Sequence, residues 1–266
     1  MKLSMAVSTP DAKFSALALK GPYDDIFSLL HECGYEGAEL AVRDPARLDL
    51  EELERLLNRY NLVVPAVGTG RAFGEDGLSF SSENETVRRA AVERIISHID
   101  LCARLKALVI IGLIVGNAPA GKATENYAAG CLRECADYAA GRGVTLVVEP
   151  INRYETGFIT SVDICMDFLE KVGSPSCRIL FDTFHANIEE PSIVGSIMKA
   201  GSLIGHVHVA DSNRKHPGAG HTDFRAIVEA LDKIGYTGFL SAEILPLPDP
   251  EAAARNNARF MKNLLS

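Results

Sequence analysis

Short apolar runs and longer amphipathic stretches alternate along the whole chain. Eight runs have strand character: residues 2–7, 37–42, 63–67, 108–113, 145–149, 178–182, 204–209 and 238–243. Several are continuous, as in Leu108-Val-Ile-Ile and Leu146-Val-Val, the pattern of parallel strands covered on both faces. Between them, apolar positions recur at helical spacing. Val87, Ala91, Ile95, Ile99 and Cys102 form one stripe, and Ile164, Phe168 and Val172 form another. Asp49 stands three residues before Glu52, and Ser82 three before Glu85, spacings that predict helix starts. Gly34, Gly173 and Gly235 stand where helices should stop, because glycine readily takes the positive φ of a helix end. A last amphipathic stretch covers residues 251–264.

Eight strand–helix units in 266 residues leave about 33 residues per unit, the size of one βα step with its loops. The pattern therefore predicts an α/β fold, a single (β/α)8 TIM barrel over residues 1–266. An open doubly wound sheet is the alternative. It would bring a glycine-rich phosphate turn after an early strand, and Val7-Ser-Thr-Pro is not one.

Composition narrows the function classes. With 47% hydrophobic and 23% charged residues, the chain is globular rather than disordered. Its 35 acidic and 27 basic residues give a net charge of −8, a poor balance for gripping nucleic acid or an anionic membrane. No apolar run approaches the roughly 18 residues of a membrane helix. The start, Met1-Lys-Leu-Ser-Met-Ala-Val-Ser, turns polar too early for a signal peptide, so a cytoplasmic protein is expected. Cysteines at 33, 102, 131, 135, 165 and 177 form no C-x-x-C pair and read as small buried hydrophobes in a reducing compartment.

Catalytic residues of such a barrel come from the C-terminal ends of its strands. The fifth predicted strand ends at Glu149, the sixth at Asp182 and the eighth at Glu243, while the seventh holds His208. Their separations of 33, 26 and 35 residues each approximate one βα unit, so all four should face one mouth. Singly, each has a structural reading, as a turn cap or a half-buried ring. Together, three converging carboxylates repel one another unless they hold a proton or a cation. Glu149, Asp182, His208 and Glu243 are accordingly expected to bind a divalent metal. Three oxygen donors and one imidazole favour Mn2+, with Mg2+ and Co2+ next and Zn2+ below them. Glu155, His185 and Arg214 follow the same strands in loops on the same mouth. Arg71 lies just past the third strand in Gly68-Thr-Gly-Arg71, and Arg43 and Lys122 are the other spare cations in strand-end loops.

These residues sit in long segments that resemble a known family, the xylose isomerase-like barrels, and within it the ketose 3-epimerases. The segments are Val148-Glu-Pro-Ile-Asn-Arg-Tyr-Glu-Thr, Phe181-Asp-Thr-Phe-His-Ala-Asn-Ile-Glu-Glu, His206-Val-His-Val-Ala-Asp-Ser-Asn-Arg, Pro217-Gly-Ala-Gly-His and Ser241-Ala-Glu-Ile. In the N-terminal half, Met1-Lys-Leu-Ser, Lys20-Gly21, Ala41-Val-Arg-Asp-Pro, Gly68-Thr-Gly and Asp76-Gly-Leu-Ser-Phe are similar to a bacterial 5-keto-L-gluconate epimerase branch. Asn117-Ala-Pro-Ala-Gly-Lys122 departs from that branch in being less basic.

The resemblance implies a carbohydrate epimerase acting at C3 of a ketose or keto-uronate. It implies that Glu149 and Glu243 double as the acid/base pair, that His185, Arg214 and Glu155 hold substrate oxygens, and that the enzyme is a dimer or tetramer. Inverting C3 requires removing a proton beside the C2 carbonyl and returning one on the other face, for which two carboxylates beside a Lewis acid are suited. A keto-uronate would further require a cation for its carboxylate, and Arg71 is the candidate. A 1,2 aldose–ketose isomerase on the same metal site is the alternative. An endonuclease IV-type zinc nuclease, with more histidine ligands and a basic DNA face, fits the charge poorly, and a non-catalytic sugar-binding barrel would not need paired carboxylates around a metal.

Overall fold

A computed structural model of the chain describes residues 1–8, 17–69, 71–117 and 121–266. The side chains of Arg71 and Lys122 lie outside the described residues. Parallel strands β1 (Lys2–Ser8), β3 (Gly37–Ala41), β4 (Ala66–Gly68), β5 (Leu108–Ile111), β6 (Leu146–Val148), β7 (Cys177–Asp182), β8 (Ile204–Val209) and β9 (Phe239–Ala242) pair in that order. β9 pairs back onto β1, which closes the predicted eight-stranded barrel.

A ninth strand, not expected from the sequence, is the two-residue β2 (Leu19–Lys20). It pairs with Val7 and Ser8 of β1, beyond the stretch Lys2–Met5 that β9 covers. Two other strands are shorter than the apolar pattern suggests. Residues 63–67 are interrupted by Pro65, which has no N–H to donate, so Val63 makes an isolated bridge and the strand begins at Ala66. The run 108–113 stops at Ile111, and a 3-10 turn at Leu113–Val115 takes over.

Side chains of adjacent strands share a face at paired positions, so the ladder register sorts the barrel interior. Ala66, Ile110, Val147 and Leu180 form a small apolar cluster of their own inside the β4–β7 half. The other half is polar: Ser4, Glu39, His206, His208 and Ser241 are all buried there. The main core lies outside the barrel, between strands and helices.

Helix Leu50–Tyr60 starts as expected, with Asp49 accepting from the Glu52 N–H at 3.0 Å. Helix Glu85–Leu105 does not start at Ser82: Asn84 is its cap, accepting from the Thr86 N–H at 2.9 Å. Ser82 instead accepts from Asn84 itself. Helices Tyr23–Cys33 and Val162–Val172 end at Gly34 (φ 69°) and Gly173 (φ 70°). In the latter helix, Ile164 was expected on the apolar stripe but is 43% exposed; Val162, Cys165, Phe168, Leu169 and Val172 form the buried face. Five cysteines are buried and Cys33 is partly so, all as free thiols. Among the described residues, no helix is long and apolar enough to cross a membrane.

Candidate active site

The four expected ligands converge. One donor atom from each of Glu149, Asp182, His208 and Glu243 lies within 4.8 Å of the others. Asp182 shows how local structure aims them. It ends β7 and caps helix Thr183–Glu189, with Oδ1 accepting from the N–H groups of Phe184 (2.6 Å) and His185 (3.2 Å). That leaves Oδ2 for the barrel axis, 3.6 Å from His208 Nδ1. Glu149 Oε1 is also 3.6 Å from His208 Nδ1. Behind Glu149 stands Gly112, where a Cβ would come within 3.2 Å of Glu149 Oε2.

Glu149 Oε1, Asp182 Oδ2 and His208 Nδ1 are buried and have no hydrogen-bond partner. Buried polar atoms are rarely left unpaired, and three that face one another mark a place for a cation. The donor set of carboxylate oxygens and one imidazole nitrogen suits a hard or borderline divalent ion. Glu149, Asp182, His208 and Glu243 therefore fit a divalent metal.

His208 is aimed by a residue that sequence reasoning missed. Glu39, in the middle of β3, reaches across the barrel interior. Its Oε1 lies 2.9 Å from His208 Nε2 and its Oε2 lies 2.7 Å from His206 Nε2. With Nε2 engaged by a carboxylate, Nδ1 is left free to bind a cation, as behind many histidine ligands. The available signal was a lone carboxylate inside the apolar run Gly37-Ala-Glu-Leu-Ala, where burial demands a partner. Burial opposes ionisation of Glu39, but His208 and His206 outweigh it and hold its carboxyl well below the usual range.

Arg214 closes the other side. Its Nη2 donates to Glu243 Oε2 at 2.8 Å and its Nη1 to Glu155 Oε1 at 2.9 Å, and its guanidinium lies 4.7 Å over the Phe184 ring. The backbone at Arg214 is left-handed, with φ 58°. Hydrogen bonds on both sides hold it there, from its N–H to Asp211 O (2.7 Å) and from Leu245 N–H to its carbonyl (2.8 Å). Asp211 organises the loop by accepting from the N–H groups of Ser212, Gly218 and Thr222. Burial pushes the Glu243 carboxyl above its ordinary value despite Arg214. For Asp182, burial is outweighed by His185, His208 and Arg214, and its carboxyl is lowered.

A cavity of about 380 Å³ lies at the barrel mouth. Glu149, Glu155, His185, His208, Arg214 and Glu243 all face it. Leu17, Leu40 and Leu113 supply apolar wall, and Glu75 adds a further carboxylate. Arg43, expected as a spare cation, is instead engaged by Glu75 at 2.6 Å and by Asp76. Arg71 begins helix Arg71–Asp76, and its contacts lie outside the described residues.

Residues 27–264 match the model of the xylose isomerase-like TIM barrel family. The chain belongs to this family. It is an enzyme of the carbohydrate isomerase and epimerase class. Among curated relatives it is 32% identical to an L-ribulose 3-epimerase of Methylomonas sp. (strain DH-1), over 79% of this chain and 74% of that protein. It is 30% identical to a ketose 3-epimerase of Arthrobacter globiformis, over 78% of this chain and 72% of that protein. The fold is shared with a D-allulose 3-epimerase from Methylomonas sp. in complex with D-allulose. The TM-score is 0.84 at 24% identity, over 99% of this chain and 98% of that one.

Proposed function

We propose that the chain is a divalent-metal-dependent epimerase that inverts C3 of a ketose or keto-uronate. One observation carries the reading: three unpaired buried donor atoms, of Glu149, Asp182 and His208, converge with Glu243, and Glu149, His208 and Glu243 line a pocket large enough for a monosaccharide. Glu149, Asp182, His208 and Glu243 would hold the metal, with Mn2+ the first choice and Mg2+ or Co2+ next. When bound, the ion would polarise the C2 carbonyl and stabilise the negative charge that develops on it.

The chain's own residues do the rest. Glu149 and Glu243 enter from β6 and β9, on either side of Asp182 and His208 in strand order. One takes the C3 proton and the other returns a proton on the opposite face, and the roles exchange with the direction of reaction. Arg214 fixes Glu243 Oε2, which leaves the other oxygen for proton transfer. Arg214, Glu155 and His185 hold substrate oxygens near the reacting carbons. Arg71 would serve a substrate carboxylate.

Free ketoses and keto-uronates incubated with the Mn2+-loaded protein in D2O test this. The expected result is deuterium at C3 with inversion. Glu149→Gln and Glu243→Gln should each abolish net epimerisation in a folded protein. Near wild-type epimerisation by either variant would overturn the two-base reading, and aldose formation in place of C3 inversion would make the enzyme a 1,2-isomerase.

A further inference from the structure

We infer that Asn152 is a positioning residue that fixes the ring tautomer of His185, so that the imidazole presents an Nε2–H donor to the substrate. The inference rests on the epimerase reading for its catalytic consequence, but not for its geometry.

Asn152 is buried, at 1% exposure, three residues past Glu149. Its side-chain amide has three partners, and two of them settle its orientation. The Tyr154 backbone N–H can only donate, and it donates at 2.9 Å to Asn152 Oδ1. The Glu155 carboxylate is an acceptor, and its Oε1 lies 3.0 Å from Asn152 Nδ2. A flipped amide would set oxygen against carboxylate and NH2 against N–H. The nitrogen therefore faces the third partner too, His185 Nδ1 at 2.7 Å.

Nδ2 carries two hydrogens, one for Glu155 and one for His185. His185 Nδ1 must then offer a lone pair, and the ring proton sits on Nε2. A histidine's free nitrogen takes its role from the bond that the other nitrogen makes. The ring is also held from its backbone, since the His185 N–H donates to Asp182 Oδ1. Nε2 lies 3.8 Å from Glu149 Oε1, too far for a hydrogen bond, and His185 lines the cavity. The pocket is thus offered a donor of fixed direction beside Glu149. A substrate oxygen placed there must accept, as a carbonyl or a developing oxyanion does.

The same amide joins two halves of the site. Glu155 Oε1 accepts from Asn152 and from Arg214, and Arg214 also holds Glu243. His185, Asn152, Glu155, Arg214 and Glu243 form one continuous chain of contacts along the pocket. Deleting Asn152 loosens both ends, whereas reversing its polarity changes the His185 tautomer specifically.

The test reads the tautomer directly. Histidine-15N-labelled, Mg2+-loaded protein is observed by long-range 1H–15N correlation in mildly alkaline solution, with His185→Gln assigning the resonances. The wild type should show a protonated Nε2 and an unprotonated Nδ1. Asn152→Asp sets an acceptor against Nδ1 and should reverse that pattern. Its kcat should fall by about 100-fold or more, the scale of a misdirected acid/base group, with a smaller change in KM. Asn152→Ala imposes neither tautomer and should lose less, about tenfold. A wild type with the proton on Nδ1 would overturn the inference. So would an Nε2–H ring retained in Asn152→Asp, or equal loss in both variants with the tautomer unmoved. A correct tautomer pattern in a protein without C3 epimerase activity would leave the assignment standing and overturn the proposed reaction instead.

Discussion

Glu39 Oε1 meets His208 Nε2 at 2.9 Å across the barrel interior, while its other oxygen meets His206 Nε2 at 2.7 Å. Both oxygens are acceptors, so both imidazoles turn their Nε2–H groups inward and His208 is left with Nδ1 toward Glu149 and Asp182. Glu39→Gln replaces one acceptor with a donor and can no longer serve both rings. Mn2+ binding, followed by calorimetric titration, should weaken by about 10–100-fold, with the far-UV spectrum unchanged. An unaltered affinity would mean that Glu39 does not orient the ligand.

Arg214 bridges Glu155 and Glu243 with two different nitrogens of one planar fork. A lysine offers a single point charge and cannot hold both in that geometry. Arg214→Lys should therefore lower kcat/KM by about 1.5–3 kcal/mol, roughly tenfold to 150-fold, while preserving the charge. Full activity in the lysine variant would reduce the role of Arg214 to its charge alone.

The barrel and the convergence of Glu149, Asp182, His208 and Glu243 were legible in the sequence because both are periodic. Eight apolar runs at a repeat of about 33 residues specify the topology, and four acceptors at the same repeat specify the mouth. Pro65 delays the start of β4 to Ala66, which the apolar run alone does not reveal. Glu39 was hidden for a related reason: its partners, His206 and His208, are more than 160 residues away, and only barrel closure brings β3 to face β8. Asn152 lies in the segment Val148-Glu-Pro-Ile-Asn-Arg-Tyr-Glu-Thr, but what it does there depends on the direction of an amide, which a letter does not carry. Arg43 was misread as spare because its partners Glu75 and Asp76 come from a separate helix.

Asp76 joins Arg43 (Nε to Oδ1, 3.2 Å) to Arg94 (2.9 Å), tying helix Glu85–Leu105 to the loop after β3. The hydrogen bond from Arg43 is the main cause that lowers the Asp76 carboxyl below its ordinary value of 3.8. Burial opposes it and Arg94 assists. Because the folded value is depressed, the contribution to stability is full above the unfolded value and fades as pH falls through the folded one. Asp76→Asn should be less stable than wild type near neutral pH, by at most about 1 kcal/mol because the pair is partly solvated. The difference should close in acid. Urea unfolding from about pH 7 to about pH 3 measures it, and a gap that stayed constant would show that the charge contributes nothing.

Glu75 bears on substrate charge, because it places a carboxylate in the pocket wall. Glu75 lines the cavity and holds Arg43 Nη1 at 2.6 Å behind it, so the described wall there is carboxylate and apolar side chain. A neutral ketose meets no opposing charge, whereas the carboxylate of a keto-uronate meets a like one. At a separation of several ångströms and an effective dielectric constant of about 20, that repulsion is worth roughly 1–2 kcal/mol once Arg43 screens it. Glu75→Gln removes the charge and its ion pair with Arg43. The ratio of kcat/KM on a keto-uronate to that on the neutral ketose of the same stereochemistry should rise about 5- to 30-fold. Arg71→Ala should move the ratio the other way. If Arg71 is the carboxylate's partner, losing a charge-assisted hydrogen bond should cost the keto-uronate about 1.5–3 kcal/mol and the neutral ketose almost nothing. Equal losses on both substrates would assign Arg71 to structure. A ratio unmoved by both substitutions would mean that the distal end of the sugar reaches neither residue, and that selectivity is set at the metal end of the pocket.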